Sequence, residues 1–211
     1  MTDPNYTALL LVVDRSGSMH SIRDEMVEAL TTLVTEQAAA PGLLTVDLVQ
    51  FDNQIDHVFS LADPTSVRIE LEPRGGTALF DALGIAITEF GRTLAGMPEH
   101  ARPSTVQVVV VTDGEENSSQ EYSLDLVRTL VVEQSEKYGW DFVFLGANQD
   151  AVMTGRALGI DADSALTFEA APDQIAYSAH AVSRYMTDLR TTGLRTGFTQ
   201  TERQQAAEDE S

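Results

Sequence analysis

The chain has 211 residues, of which 13 are Lys or Arg and 33 are Asp or Glu, giving a net charge of -20. It contains no cysteine, which excludes disulfides, cysteine zinc sites and thiol catalysis. So acidic a surface repels phosphate backbones, arguing against nucleic acid as a partner, and attracts cations and basic protein surfaces.

Residues Met1 to Tyr6 are polar and lack a basic run ahead of an apolar stretch, so no signal peptide is expected. The longest apolar runs, Ala8–Val13 and Val108–Val111, fall far short of the ~20 residues of a membrane helix. No membrane association is expected, and the cytoplasm is the expected location, or a virion if the chain is phage-encoded. Asn117-Ser118-Ser119 matches a glycosylation sequon, read here as chance in the absence of a secretion signal.

The predicted elements alternate. Ala8–Val13 is a continuous apolar run ending at Asp14, the pattern of a strand buried on both faces. Ile22, Met26, Leu30, Leu33 and Val34 then form a helical stripe that Pro41-Gly42 breaks. Leu43–Phe51 is a strand ending in the turn pair Asp52-Asn53, and Gln54–Leu61 follows closely enough to be its antiparallel partner at the sheet edge. After Pro73-Arg74-Gly75-Gly76, Thr77 opens a helix carrying Leu79, Leu83, Ile87 and Phe90. Thr105–Val111 is the most strand-like run and ends at Thr112-Asp113-Gly114, followed by the polar segment Glu115–Gln120. A helix over Leu124–Tyr138, a strand over Phe142–Gly146, a short helix over Ala151–Leu158, a strand at Ser164–Phe168 and an amphipathic helix over Gln174–Leu189 complete the pattern.

This alternation predicts an α/β fold: a three-layer α/β/α sandwich around a mostly parallel sheet with one antiparallel edge strand. The expected domain spans 6–190, with a core over 6–159, a helical extension over 160–190 and a polar, disordered tail over 193–211. Ligand sites in such sheets lie at the carboxyl ends of the strands. Asp14-Arg15-Ser16-Gly17-Ser18, Gly75-Gly76-Thr77 and Thr112-Asp113-Gly114 all fall there.

Their side chains suit a hard cation. Asp14, Ser16, Ser18, Thr77 and Asp113 offer two carboxylates and three hydroxyls. Mg2+ takes such oxygens in a near-octahedral shell, and Mn2+ or Ca2+ accepts the same donors. Water fills the rest of the shell, leaving a position that a Glu or Asp carboxylate of a protein partner would fill. Each residue also has a plainer reading: Asp14 and Thr77 as helix N-caps, Asp113 and Asp52 as turn formers, Glu115 and Glu116 as a solvated rim. Arg15 and Arg74 are read as loop residues, and the histidines show no ligand spacing.

Val12-Val13-Asp14-Arg15-Ser16-Gly17-Ser18-Met19 resembles the metal-ion-dependent adhesion motif of von Willebrand factor type A domains. Gly76-Thr77 and Thr112-Asp113-Gly114-Glu115-Glu116 resemble that family's second and third metal-site segments. The resemblance implies a Rossmann-like domain. It implies that Ser16, Ser18 and Thr77 touch the metal directly, while Asp14 and Asp113 do so directly or through water. It further implies a protein-binding module and not an enzyme. Gly146-Ala147-Asn148-Gln149-Asp150 resembles bacterial and phage-encoded stand-alone members. Two rival functions remain open from the residues alone. A structural part of a phage or bacterial assembly fits the small acidic chain. A metal-dependent hydrolase would use Asp14 as nucleophile, but no P-loop, G-x-S-x-G elbow or second Asp two residues on supports it.

Overall fold

In a computed structural model, described over residues 1–207, the chain forms six strands and six α-helices. Strand β1 (Asp3–Asp14) lies in the middle of the sheet, parallel to β2 (Leu43–Phe51) on one side and β4 (Pro103–Thr112) on the other. The full order is β3-β2-β1-β4-β5-β6. β5 (Asp141–Ala147) and β6 (Ala165–Phe168) extend it in parallel, while β3 (Ile55–Ala62) pairs antiparallel with β2 at the edge. The α/β/α sandwich with one antiparallel edge strand is therefore as the patterning predicts, and it is Rossmann-like as the resemblance implies.

Side chains alternate across the central strands and feed two separate cores. Leu9, Leu11, Val13, Val109 and Val111 face α1 (Arg23–Ala39) and α5 (Pro172–Thr192). Leu10, Val12, Val108 and Val110 face α2 (Leu79–Gly96) and α3 (Leu124–Tyr138), with α4 (Ala151–Leu158) on the same side. Residues Leu9 to Val13 are at most 1% exposed, which explains why this strand reads as an unbroken apolar run. From β1 the chain steps outward to β2 by way of α1, and returns to β4 on the far side of β1 by way of α2. The strand order reverses there, so a crevice opens between the carboxyl ends of β1 and β4.

The expected disorder after Gly193 does not hold for residues 193–207. That segment runs back beside α5, where Arg184 meets Thr196 and Gly197, and ends in α6 (Gln200–Ala207), which lies against the β6 edge. Phe198 is 6% exposed and stacks on Tyr185 with ring centroids 5.3 Å apart, and Ala206 is fully buried. Thr199 and Glu202 form a capping box: the Thr199 N–H donates to Glu202 Oε2 at 2.7 Å, and the Glu202 N–H donates to Thr199 Oγ1 at 3.2 Å. Arg184 holds the other face of Glu202 at 2.6 Å, and Arg203 donates to the Ala165 and Ala162 carbonyls at 2.7 and 2.9 Å. Further back, Arg195 Nε meets the buried Asp141 carboxylate at 2.8 Å, beside the Tyr185 hydroxyl. Low hydrophobicity misleads here because two apolar anchors and two arginine clamps hold the segment. The rest of the expected tail, 208–211, lies outside the described residues.

Truncating the main anchor tests this packing. Phe198→Ala is expected to lower unfolding stability by about 3 kcal/mol, measured by urea denaturation. An unchanged midpoint would mean that 193–207 does not dock on the domain.

Candidate metal centre

Asp14 is the last residue of β1, and its carboxylate is fully buried. Oδ1 accepts the Ser16 N–H at 2.6 Å, and Oδ2 accepts the Thr112 hydroxyl at 2.6 Å. The Thr112 hydroxyl in turn accepts the Gly114 N–H at 3.2 Å, so the loop after β4 is tied to the loop after β1 through one carboxylate. Asp14 therefore does not cap the next helix, which starts at Arg23. Ser16 Oγ and Ser18 Oγ stand 3.0 Å apart, and Ser18 Oγ donates to Asp113 Oδ1 at 2.7 Å.

Thr77 arrives from a third direction. It precedes α2, whose N-cap is Ala78, so Thr77 is not that helix's cap. Gly75, with φ of +67°, turns the chain so that its carbonyl accepts the Gly17 N–H at 3.1 Å. Gly114 packs tightly against the incoming residue: a β-carbon there would lie 2.9 Å from Thr77 Oγ1 and 3.7 Å from Ser18 Oγ. The structure thus gathers Asp14, Ser16, Ser18, Thr77 and Asp113 at the crevice between β1 and β4. All five come from the three segments that the sequence singles out.

The charges at this point are uncompensated. Arg15, next to Asp14, is turned away and only 6% exposed; it meets Asp52 at 3.0 Å and Asp56 at 2.6 Å. Arg74 also pairs with Asp52, at 2.7 Å. Asp52 is 2% exposed. Burial pushes its carboxyl up, but hydrogen bonds from Arg74 and Gln54 and the two guanidinium charges bring it below its usual value. Asp52 is thus a buried ionic anchor as well as the Asx-turn residue that accepts Gln54 N–H at 2.7 Å. Among the described residues no Lys, Arg or His pairs with Asp14 or Asp113. Burial drives the Asp14 carboxyl up to about 6, helped by the Asp113 charge and opposed by the bonds from Thr112 and Ser16. Burial also raises Asp113, against the Ser18 hydrogen bond.

These residues fit a divalent cation. Two carboxylates without a counter-charge and three converging hydroxyls form an all-oxygen, dianionic set. Among the described residues no group of three or more His, Asp or Glu is placed to hold a metal, so an ion here depends on the hydroxyl donors.

The sequence reading missed the segment after Asp113. Glu116 is no solvated rim: its carboxylate accepts the N–H groups of Phe80 at 2.9 Å, Ser118 at 2.9 Å and Ser119 at 2.7 Å. Asp81, in the first turn of α2, accepts those of Gln120, Glu121 and Tyr122 at 2.7, 2.9 and 2.7 Å. Asn117 is held in the same network, its Oδ1 accepting the Thr77 N–H at 2.9 Å. Glu115 stays exposed.

The family model of the von Willebrand factor type A domain matches residues 8–173. The chain belongs to that family. Human integrin alpha-11 is 30% identical over 138 residues, which are 63% of this chain and 11% of the integrin. The chain thus spans only about a tenth of that relative's length. Proximal thread matrix protein 1 from the mussel byssus, solved with a zinc-occupied MIDAS motif, superposes with a TM-score of 0.65 at 18% identity. That match covers 88% of this chain and 47% of the mussel chain. The vWF domain of the type V pili tip protein Mfa5 from Porphyromonas gingivalis gives 0.62 at 10% identity, covering 90% of this chain and 98% of that one. These two structural likenesses show that this VWA chain has the family fold.

The uncompensated charge has a measurable consequence. In the metal-free protein Asp14 titrates near 6 instead of its ordinary 3.8, so the folded chain binds a proton that the unfolded chain has released. Stability from this group is therefore lost as pH rises through that window, by roughly 3 kcal/mol in all. Wild-type stability minus that of Asp14→Asn, both in chelator and read from urea denaturation, is expected to fall between about pH 4 and pH 7. A flat difference contradicts an unpaired charge at Asp14.

Proposed function

We propose that this VWA domain holds one divalent cation, Mg2+ in the first instance, at Asp14, Ser16, Ser18, Thr77 and Asp113, and presents it to a carboxylate of a protein partner. The observation that carries the reading is the fully buried Asp14 carboxylate with no cationic partner, set near Asp113 and the hydroxyls of Ser16 and Ser18 on its own loop, with the Thr77 hydroxyl brought in by the loop before α2. A buried charge of this kind is costly unless something neutralises it. When bound, the cation supplies an electrophilic position with room for an incoming oxygen ligand. The zinc in the mussel protein's MIDAS motif supports a metal at the corresponding edge of this domain; the all-oxygen donor set favours Mg2+, with Mn2+ or Ca2+ as substitutes.

The chain's own residues favour holding over turnover. Both oxygens of Asp14 are committed, one to Ser16 and one to Thr112, so the carboxylate is oriented and not free to attack. Ser16 and Thr77 are each 2% exposed, which places their hydroxyls beneath the surface. Ser18 is exposed and marks the open side, where a partner's carboxylate would approach. This arrangement supports a binding role without catalysis.

Calorimetric titration with Mg2+ and Mn2+ tests the reading. Wild type is expected to bind one ion, and Asp14→Ala and Asp113→Ala to lose affinity by more than roughly 100-fold, beyond the cost of altering an outer-shell residue. Capture from the native host should retain a partner that chelator releases and that neither variant holds. Unchanged ion affinity in both variants sinks the proposal.

A further inference from the structure

We infer that Asn117 is a positioning residue for the metal centre, fixing the backbone of Thr77 relative to Asp113. The inference rests on the metal-binding reading above and concerns a residue outside the five ligands. Thr77 is the one proposed ligand contributed by a loop that leads into a helix and not by a segment that leaves a strand. Something other than the sheet must hold it. Asn117 does so at two points: its Oδ1 accepts the Thr77 N–H at 2.9 Å, and its own N–H donates to the Thr77 carbonyl at 3.0 Å. On the preceding residue, Asn53 Oδ1 accepts the Gly76 N–H at 2.7 Å. A β-carbon at Gly76 would stand 2.8 Å from Asn117 Oδ1 and collide with Ser118 Oγ, so the two segments are in direct contact.

The placement of Asn117 gives this clamp its meaning. It lies four residues beyond Asp113 on the same loop, so it connects one proposed ligand's loop to another ligand's backbone. The neighbouring ties do different work. Glu116 and Asp81 bind the loop to the first turn of α2, whereas Asn117 bonds Thr77 itself. Losing Glu116 or Asp81 loosens the loop as a whole; losing the Asn117 side chain removes one of the two bonds that hold Thr77 and leaves the backbone one.

Mn2+ binding to the full chain, followed by electron paramagnetic resonance, separates positioning from simple support. Asn117→Ala is expected to bind Mn2+ about tenfold more weakly, the loss of one hydrogen bond's worth of order, with a changed spectrum of the bound ion. Asn117→Asp keeps an acceptor oxygen for the Thr77 amide and is expected to restore both affinity and spectrum. Val131→Ala, which loosens the α3 core away from the site, should lower the melting temperature and leave Mn2+ affinity alone. Wild-type affinity in Asn117→Ala overturns the inference, as does an aspartate variant as weak as the alanine one. Should Asn117→Ala not fold, Asn117→Gln, which moves the acceptor oxygen away from the Thr77 amide by one methylene, takes its place, and unchanged affinity there overturns the clamp. A wild type that binds no Mn2+ overturns the metal reading itself, and the positioning role with it.

Discussion

The Asp14 carboxylate sits at the end of the central strand, fully buried, gripped by a hydroxyl from β4 and an N–H from its own loop, and paired with no cation. A sheet assembled only for stability would place an apolar residue or a neutral cap there. The neighbouring guanidinium of Arg15 could neutralise it, yet Asp52 and Asp56 draw Arg15 to the other side. The charge is thus kept without a protein partner, and burial, with the Asp113 charge beside it, pushes the carboxyl up to about 6. Under the proposed reading, a bound cation would neutralise this costly buried charge.

The topology makes that site unavoidable once the strand order is set. Because β1 lies between β2 and β4, and the connections diverge to either side of it, the loops after β1 and β4 part at their carboxyl ends. The approach to α2 then crosses the gap. Gly75 and Gly114 let the three loops come close, and the Arg15–Asp52–Arg74 ion network fastens the outer loop to the turn after β2. Sheet, loops and charge therefore converge at the carboxyl ends of β1 and β4, while residues 193–207 pack along β6 at the far side of the sheet.

Much of this was legible from the residues alone. The strands announced themselves because burial on both faces leaves only apolar side chains, as in Leu9 to Val13. The five oxygen donors stood out because they fall directly beyond predicted strand ends or at a Gly-Gly turn. What was not legible depended on distant partners. Glu116 and Asp52 look like surface acids until one N–H of α2, from Phe80, or two arginines are brought to them from 22 to 37 residues away. The α6 segment is a different case. Its low hydrophobicity points to a disordered tail, because a helix with one buried alanine carries almost no apolar stripe.

The most direct measurement is the anomalous scattering of Mn2+ in crystals of the chain. The expected result is a single strong peak within bonding distance of the Ser16, Ser18 and Thr77 hydroxyls, with Asp14 and Asp113 bound to it directly or through one water. A peak elsewhere on the acidic surface, or none at saturating Mn2+, contradicts a metal centre between β1 and β4.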